Sequence, residues 1–195
     1  NMMLDVLKEL GNIGSGNAAT ALSTMISNRV DMNVPQVKIL DFQDLPKVLG
    51  GEEIPVVGIY FEMSGELSGN IMFVLSLESA KNLTNILFQR DDKSDELDEM
   101  DLSALSEIGN ILASSYINSL SMLTGMKISI SVPSLSIDMA GAIISVTAIQ
   151  FGYIADKVIF TETAFEEGNN TVSGNLFMIP EVESFAKLLN SLGVC

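Results

Sequence analysis

The sequence predicts an α+β fold made of two copies of one unit, with long helices packed on a β-sheet core. The segment Glu-Leu-Gly-Asn-Ile at 9–13 recurs 98 residues later as Glu-Ile-Gly-Asn-Ile. In both halves the apolar spacing also changes from helical to alternating in the same order. Each half is too small for a generous core of its own. We therefore expect one domain over residues 1–195, with a core shared around a pseudo-two-fold axis.

The two repeats are predicted to span residues 1–90 and 101–195. A second match supports them, because 67–74 resembles 172–179 at a spacing of 105 residues, as expected if the second repeat has longer loops. The acidic stretch 91–100 joins the repeats. We expect it to be a solvated linker whose carboxylates favour the N terminus of the next helix.

Helical and alternating patterns place the elements of each repeat in the same order. The first repeat is predicted as helix 2–28, strand 34–40, a short helix, strands 56–63 and 67–77, and helix 77–88. The second is predicted as helix 101–124, strand 128–137, a short helix, strands 158–165 and 172–179, and helix 180–192. The link 64–66 suits a hairpin turn, and 166–170 is its longer counterpart.

Composition excludes several function classes. With 10 Lys and Arg against 25 Asp and Glu, the net charge of −15 disfavours nucleic acid and membrane surfaces. The chain has no His, and its one Cys is Cys195, which excludes a Ser-His-Asp triad, a His base and a Cys/His zinc site. We expect that the chain binds no metal or cofactor and that it is a monomer. Because no signal-peptide pattern is present, we also expect a cytoplasmic location.

One narrow stripe on each long helix is polar. At about 100° per residue, Asp5, Glu9 and Asn12 share one face of the first helix. We call this stripe ridge 1, and its repeat, formed by Ser103, Glu107 and Asn110, ridge 2. The opposite faces are apolar and should be buried. They comprise Leu7, Leu10, Gly14, Ala18, Ala21 and Met25, with Ile13 at the flank, and Leu105, Ile108, Leu112, Tyr116 and Leu123.

A single Glu-x-x-Asn on a helix is usually only a solvated face. Two copies, each among small residues, favour a projecting pair that inserts into a cleft of a partner. Gly11, Gly14 and Gly16 are expected to allow close helix packing at the pseudo-symmetry axis. The run Gly14 to Ala19 also fits a dinucleotide turn, but a helical rather than a strand pattern precedes it, and the second copy lacks the glycines.

Both ridges are followed by a proline at the same distance. The spacing [Asp/Ser]-x3-Glu-x2-Asn-x22-Pro ends at Pro35 in the first copy and at Pro133 in the second. This signature resembles that of the CheC, CheX and FliY family of chemotaxis phosphatases, and two intact copies are most like its CheC-type members. The resemblance implies hydrolysis of the aspartyl phosphate of a CheY-type response regulator.

The resemblance also implies a role for each signature residue. Asn12 and Asn110 would orient the attacking water, and Glu9 and Glu107 would form a salt bridge with a lysine of the regulator. The remaining signature positions are Pro35 and Pro133, interpreted as shape-setting, and Asp5 and Ser103, which could cap, orient or contact the partner. The Mg²⁺ ion of the reaction would belong to the regulator.

Two other functions remain open from the sequence. The chain could be a non-catalytic adaptor that binds the receptor deamidase CheD, phosphorylated CheY, or both. It could also be a duplicated structural domain without activity, which would leave both ridges unexplained. CheD is an expected partner whether the chain is a phosphatase or an adaptor. The apolar residues around Met139 to Val146 are a candidate CheD surface, but we expect them to be buried instead.

Overall fold

The computed structural model describes residues 2–94, 96–151 and 157–193 and contains the same sequence of elements twice. The first set is α1 (Met2–Ile26), β1 (Asp31–Asn33), β2 (Val37–Asp41), α2 (Leu45–Val48), β3 (Pro55–Gly65), β4 (Gly69–Ser76) and α3 (Leu77–Phe88). The second set is α4 (Glu99–Thr124), β5 (Ile128–Ile130), β6 (Ser134–Met139), α5 (Ala140–Phe151), β7 (Lys157–Glu167), β8 (Asn170–Pro180) and α6 (Val182–Ser191). The predicted α+β class and duplicated architecture are confirmed.

The strands of the described residues form one antiparallel sheet whose order is the same from either edge. β1 and β2 both pair with β7, followed by β8, β4 and β3, and β5 and β6 both pair with β3. Each half therefore adds its first two strands to the third strand of the other half. Gly69 of β4 pairs with Pro180 of β8, and Val74 pairs with Asn175, which places the pseudo-two-fold axis between these two central strands.

Both faces of the sheet are buried, so the central strands are continuously apolar rather than alternating. In β4, Ile71, Phe73 and Leu75 belong to a larger core beneath α1, α3, α4 and α6. Met72 and Val74 belong to a smaller core on the opposite face, beneath α2 and α5. The two long helices, and with them both ridges, therefore lie on the same side of the sheet.

The strand predicted after each long helix is interrupted at the signature proline. Residues 34–36 lie between β1 and β2 and face only two residues of β7. Residues 131–133 lie between β5 and β6 and likewise face two residues of β3. Proline has no N–H to donate to a ladder, so a one-residue bulge replaces the continuous strands expected over 34–40 and 128–137.

Three other predicted boundaries are wrong. The long turn predicted at 166–170 is a two-residue turn, because β7 runs on to Glu167 and Gly168 takes a left-handed conformation with φ of +59°. The short helix expected in the second half is the twelve-residue α5. The closing helix begins at Val182 instead of Pro180, because Pro180 still pairs within the sheet.

The predicted burial of the apolar faces is confirmed over most of α1 and α4 and is wrong in their C-terminal turns. Leu7, Leu10 and Ala18 are fully buried, as are most of their counterparts in α4. Ala21, Met25 and Leu123 are exposed instead. The helices meet where Gly14 lies against the backbone of Tyr116, so their C-terminal turns extend beyond this contact.

The expectation of burial around Met139 to Val146 is only half right. Ile143 and Ile144 of α5 are buried against the smaller core. Met139 and Val146 are about half exposed, at 52% and 49%. α5 covers only one face of the sheet, so its outward side stays open to solvent.

Candidate functional site

A glycine between the Glu and the Asn of each ridge brings its helix onto the sheet. A Cβ atom at Gly11 would lie 3.3 Å from a methyl carbon of Val34, and one at Gly109 would lie 3.0 Å from a methyl carbon of Ile59. Gly11 lies about 160° around the helix from Glu9, and Gly109 has the same relation to Glu107. The turn that is pressed against the sheet therefore directs its Glu to the opposite, solvent side.

The ridge side chains are free within the described part of the chain. Asp5, Glu9 and Asn12 are exposed, as are Ser103 and Glu107. None of these side chains, nor that of Asn110, has a hydrogen-bond or ion-pair partner among the described residues. Each ridge thus presents a carboxylate and a carboxamide, three residues apart on one face, with their full hydrogen-bonding capacity available.

Asn110 differs from the expectation that both asparagines are exposed, because it is half-buried. The residue one turn after Asn110 is Ser114, whereas Gly16 occupies the equivalent place after Asn12. A helical side chain covers the turn N-terminal to its own Cα. Gly16 has no side chain, and there is nothing within 4 Å of where its Cβ would be. Ser114 therefore adds a side chain towards the turn that carries Asn110, and ridge 1 has none at the equivalent place.

The glycines expected at the pseudo-symmetry axis have three different environments. Only Gly14 lies at the helix crossing, where a Cβ atom would be 3.2 Å from the Cα atom of Tyr116. Gly11 contacts the sheet and Gly16 faces open space. The same run is interior to α1 and follows no strand, so the structure excludes a dinucleotide turn.

The signature prolines lie at the strand bulges and bring no reactive group to the ridges. Pro35 is exposed, but its neighbour Val34 is buried and contacts α1 at Gly11. Pro133 is half-buried, and its neighbour Val132 is 83% exposed. The two bulges therefore share a position in the sheet and differ in which way the preceding valine points.

An ionic cluster that the sequence analysis missed holds the N terminus of α4 and with it ridge 2. Asp98 accepts a hydrogen bond from the backbone N–H of Asp101, and Asp101 accepts one from the N–H of Asp98, which forms a capping box. The buried carboxylate of Asp101 also pairs with Arg90 and with Lys81. Lys81 also donates to Asp92 at 2.7 Å and to the carbonyl oxygen of Glu96 at 2.8 Å.

The stretch predicted to be a solvated linker is therefore anchored, although its role at the N terminus of α4 is as expected. The hydrogen bond with Lys81 lowers the pKa of Asp92 to about 2, and the same bond raises the pKa of Lys81. Burial alone would raise the pKa of Asp101, but the hydrogen bonds from the Asp98 N–H and from Arg90 outweigh it and lower that pKa. All three groups are thus held in their charged forms.

The described residues offer little for other chemistry. They contain no group of three or more His, Cys, Asp or Glu side chains placed to hold a metal ion. Within the same residues, no helix has both the length and the apolar character needed to cross a membrane. A polar cleft of about 770 Å³ lies between α3 and the β7–β8 turn, and none of its lining residues belongs to either ridge.

Comparison with known proteins identifies the family. The model of the CheC-like family matches this chain twice, over residues 2–39 and 100–137, and each match contains one ridge and its proline. The chain is 36% identical to the CheY-P phosphatase CheC of Bacillus subtilis, covering 97% of this chain and 93% of that protein. The chain belongs to the CheC-like family.

Two further similarities support the family and the fold. The putative CheY-P phosphatase CheC1 of Halobacterium salinarum is 23% identical, covering 97% of this chain and 95% of that protein. The crystal structure of Thermotoga maritima FliY covers 98% of this chain and 96% of that one, with a TM-score of 0.79 at 24% identity. The helix-and-sheet architecture described above is therefore also the fold of that FliY structure.

Proposed function

We propose that this chain is a phosphatase that hydrolyses the aspartyl phosphate of a CheY-type response regulator, with one site on each ridge. The observation that carries the proposal is the repeated Glu and Asn pair, exposed in ridge 1 and partly exposed in ridge 2, with no partner among the described residues. Membership of the CheC-like family, and the phosphatase name of its Bacillus subtilis relative, support it.

The chemistry suits a protein without histidine. An acyl phosphate is already activated, so the step that needs help is holding a water in line with the departing aspartate carboxylate. The carboxamides of Asn12 and Asn110 each accept from and donate to such a water and need no pKa near neutrality. Water adds to phosphorus, the P–O bond to the aspartate breaks, and the regulator regains its carboxylate as inorganic phosphate leaves.

Glu9 and Glu107 bind the partner in this proposal. A carboxylate beside a phosphoryl group is repelled unless a cation lies between them, which favours a salt bridge to a lysine of the regulator over a role as general base. The Mg²⁺ ion that neutralises the phosphoryl oxygens is held by the regulator, and no cofactor is assigned to this chain. Binding of CheD at another surface, a monomeric state and a cytoplasmic location stay predictions.

The test is the decay of phosphoryl label on a purified CheY-type regulator in the presence of Mg²⁺. The chain should accelerate decay, and the Asn12→Ala/Asn110→Ala double variant should lose about a hundredfold of that acceleration or more. A matched control is Asn17→Ala/Asn118→Ala, which removes one exposed asparagine from each of the same helices outside the Glu and Asn pairs. This control should keep the activity of the unaltered chain.

An unaltered chain without any effect on decay, alone or with CheD added, would contradict the proposal. If that chain still bound the regulator or CheD, the adaptor function would replace it. Equal loss of activity in the Asn17/Asn118 control would show that the helices, rather than the Glu and Asn pairs, are needed. Circular dichroism of each variant separates loss of activity from loss of fold.

A further inference from the structure

Each ridge has an exposed methionine two turns before its Glu. Met2 is 65% exposed and Met100 is 61% exposed, and they occupy equivalent positions, 98 residues apart. Seven residues along a helix return to nearly the same face, so each methionine lies within about 20° of its Glu and about 10 Å from it along the axis. Large apolar side chains at this exposure have no part in the core.

The apolar positions continue on the other side of the pair. Ile13 and Ile111 follow Asn12 and Asn110 directly, and Ile13 is 38% exposed while Ile111 packs partly against the core. The polar pair of each ridge therefore has an exposed methionine on one side and a partly exposed isoleucine on the other. The exposed Lys8 lies one turn before Asn12 on ridge 1, but Ser106 occupies the equivalent position on ridge 2, so no cation is repeated beside the two pairs.

Other exposed apolar residues of α1 and α4 lie away from the Glu and Asn pairs. Met25 and Leu123 are also equivalent and exposed, but they lie about 160° around their helices from Glu9 and Glu107. Met122 is 82% exposed, but it lies about 120° around the helix from Asn110 and about 18 Å beyond it along the axis, and its equivalent is the polar Thr24. Among the large apolar side chains of the described residues, only Met2 and Met100 are exposed, repeated, and close to the pair on its own side of the helix.

We infer that Met2 and Met100 bind the phosphorylated regulator, as apolar contacts that hold it in place over the Glu and Asn of ridge 1 and ridge 2. This rests on the proposed function. The methionine side chain is flexible and polarisable, so it fits an apolar depression of a partner without a fixed shape. Removing its surface from water favours the complex before and during hydrolysis alike, so the contact affects the affinity for the regulator more than the rate of the chemical step.

The experiment isolates one ridge at a time. In an Asn12→Ala background, where ridge 2 alone is active, Met100→Gln should raise KM for the phosphorylated regulator by roughly five- to tenfold and leave kcat within about twofold. The same substitution at Met122 is the matched control, with the same residue type, helix and substituent. It should leave both constants unchanged. In an Asn110→Ala background, Met2→Gln should repeat the Met100 result.

Binding to the regulator trapped with beryllofluoride and Mg²⁺ gives a readout without turnover. Met100→Gln should weaken binding at ridge 2 by the same factor, measured in a chain whose ridge 1 carries Glu9→Lys, because Asn12→Ala alone would leave Glu9 able to bind the regulator. Unchanged KM and binding in both methionine variants, or an equal effect of Met122→Gln, would overturn the inference. The proposed function fails by different results: no acceleration of decay by the unaltered chain, or an Asn12→Ala/Asn110→Ala variant that is as active as the unaltered chain.

Discussion

Ridge 1 and ridge 2 present the same Glu and Asn pair, but they differ in how exposed the Asn is and in how the start of the helix is held. In ridge 1, Asn12 is exposed beneath the open space at Gly16. In ridge 2, Asn110 is half-buried and is followed one turn later by Ser114, and the helix begins at the buried Asp101 cluster. The equivalent of Asp101 in α1 is Met3, which has no charge to pair. The two ridges therefore share the Glu and Asn pair and differ in the exposure of the Asn and in the contacts that hold the helix.

The largest effect is expected from reversing the charge of the Glu of one ridge while the other ridge is inactivated by its Asn→Ala substitution. Glu107→Lys in the Asn12→Ala background, and Glu9→Lys in the Asn110→Ala background, should each raise KM for the phosphorylated regulator by roughly tenfold or more, because a lysine would face a lysine. Steady-state kinetics at low and moderate salt measure this, and the loss should be greater at low salt.

Glu183→Lys is the matched control for charge, because it makes the same change of net charge at an exposed site on α6. It should leave KM unchanged in both backgrounds. A similar rise in KM for this control would show that long-range repulsion, and not a contact of the ridge, is responsible.

The next effect concerns the support of ridge 2. Asp101→Asn keeps the shape and removes the charge that pairs with Arg90 and Lys81, so it should lower the free energy of unfolding by about 2 kcal/mol. Urea denaturation measures this. In single-ridge backgrounds the same substitution should lower the activity of ridge 2 and spare ridge 1.

The control for that prediction is Asp31→Asn, which removes a pair between Arg29 and Asp31 whose side chains are 85% and 58% exposed. An exposed pair contributes little, so the loss should stay below about 0.5 kcal/mol. Equal destabilisation by the two substitutions would contradict the assignment of Asp101 as an anchor.

A smaller effect should follow from exchanging the residues that lie one turn after the two asparagines, Gly16 and Ser114. Ser114→Gly should raise the activity of ridge 2 in the Asn12→Ala background, and Gly16→Ser should lower that of ridge 1 in the Asn110→Ala background, each by roughly twofold. Serine favours a helix over glycine by about 0.5 kcal/mol, so a loss of activity in Gly16→Ser cannot come from a less stable helix. Changes in the opposite directions would show that access does not limit either ridge.

The smallest effect is a pH dependence of stability that belongs to the anchored half. The pKa of Asp92 falls from an ordinary value of 3.8 to about 2 in the folded chain, so its contribution is present above about pH 3.8 and lost as the pH falls towards 2. Asp101 shifts in the same direction. The free energy of unfolding should therefore decrease from pH 4 to pH 2, and less steeply in Asp92→Asn. Asp91→Asn, at an exposed neighbour, should keep the slope of the unaltered chain.

The sequence predicted what depends on repetition and missed what depends on tertiary contact. The duplication, the two long helices and the solvent-facing ridges follow from spacing alone, because a 3.6-residue period fixes which side chains share a face. The strands predicted over 34–40 and 128–137 were expected to be continuous, but each is interrupted by a bulge at Pro35 or Pro133. A proline within a predicted strand is itself a signal for such a bulge.

Other features had no signal in the local sequence. The exchange of first strands between the halves depends on segments far apart in the chain. The Lys81 and Arg90 contacts of Asp101 turned an expected solvated linker into an anchored one, because charge composition does not show which charges meet. Lys81 lies in an ordinary amphipathic helix, and nothing around it marks it as buried.

The most direct measurement is the rate of regulator dephosphorylation by the two single variants, Asn12→Ala and Asn110→Ala, beside the unaltered chain and the double variant, under identical conditions with Mg²⁺. If each ridge is a separate site, both single variants should keep part of the activity, their rates should add to that of the unaltered chain, and the double variant should lose about a hundredfold of the acceleration or more. Complete loss of activity in either single variant would contradict two independent sites, and full activity in the double variant would contradict both.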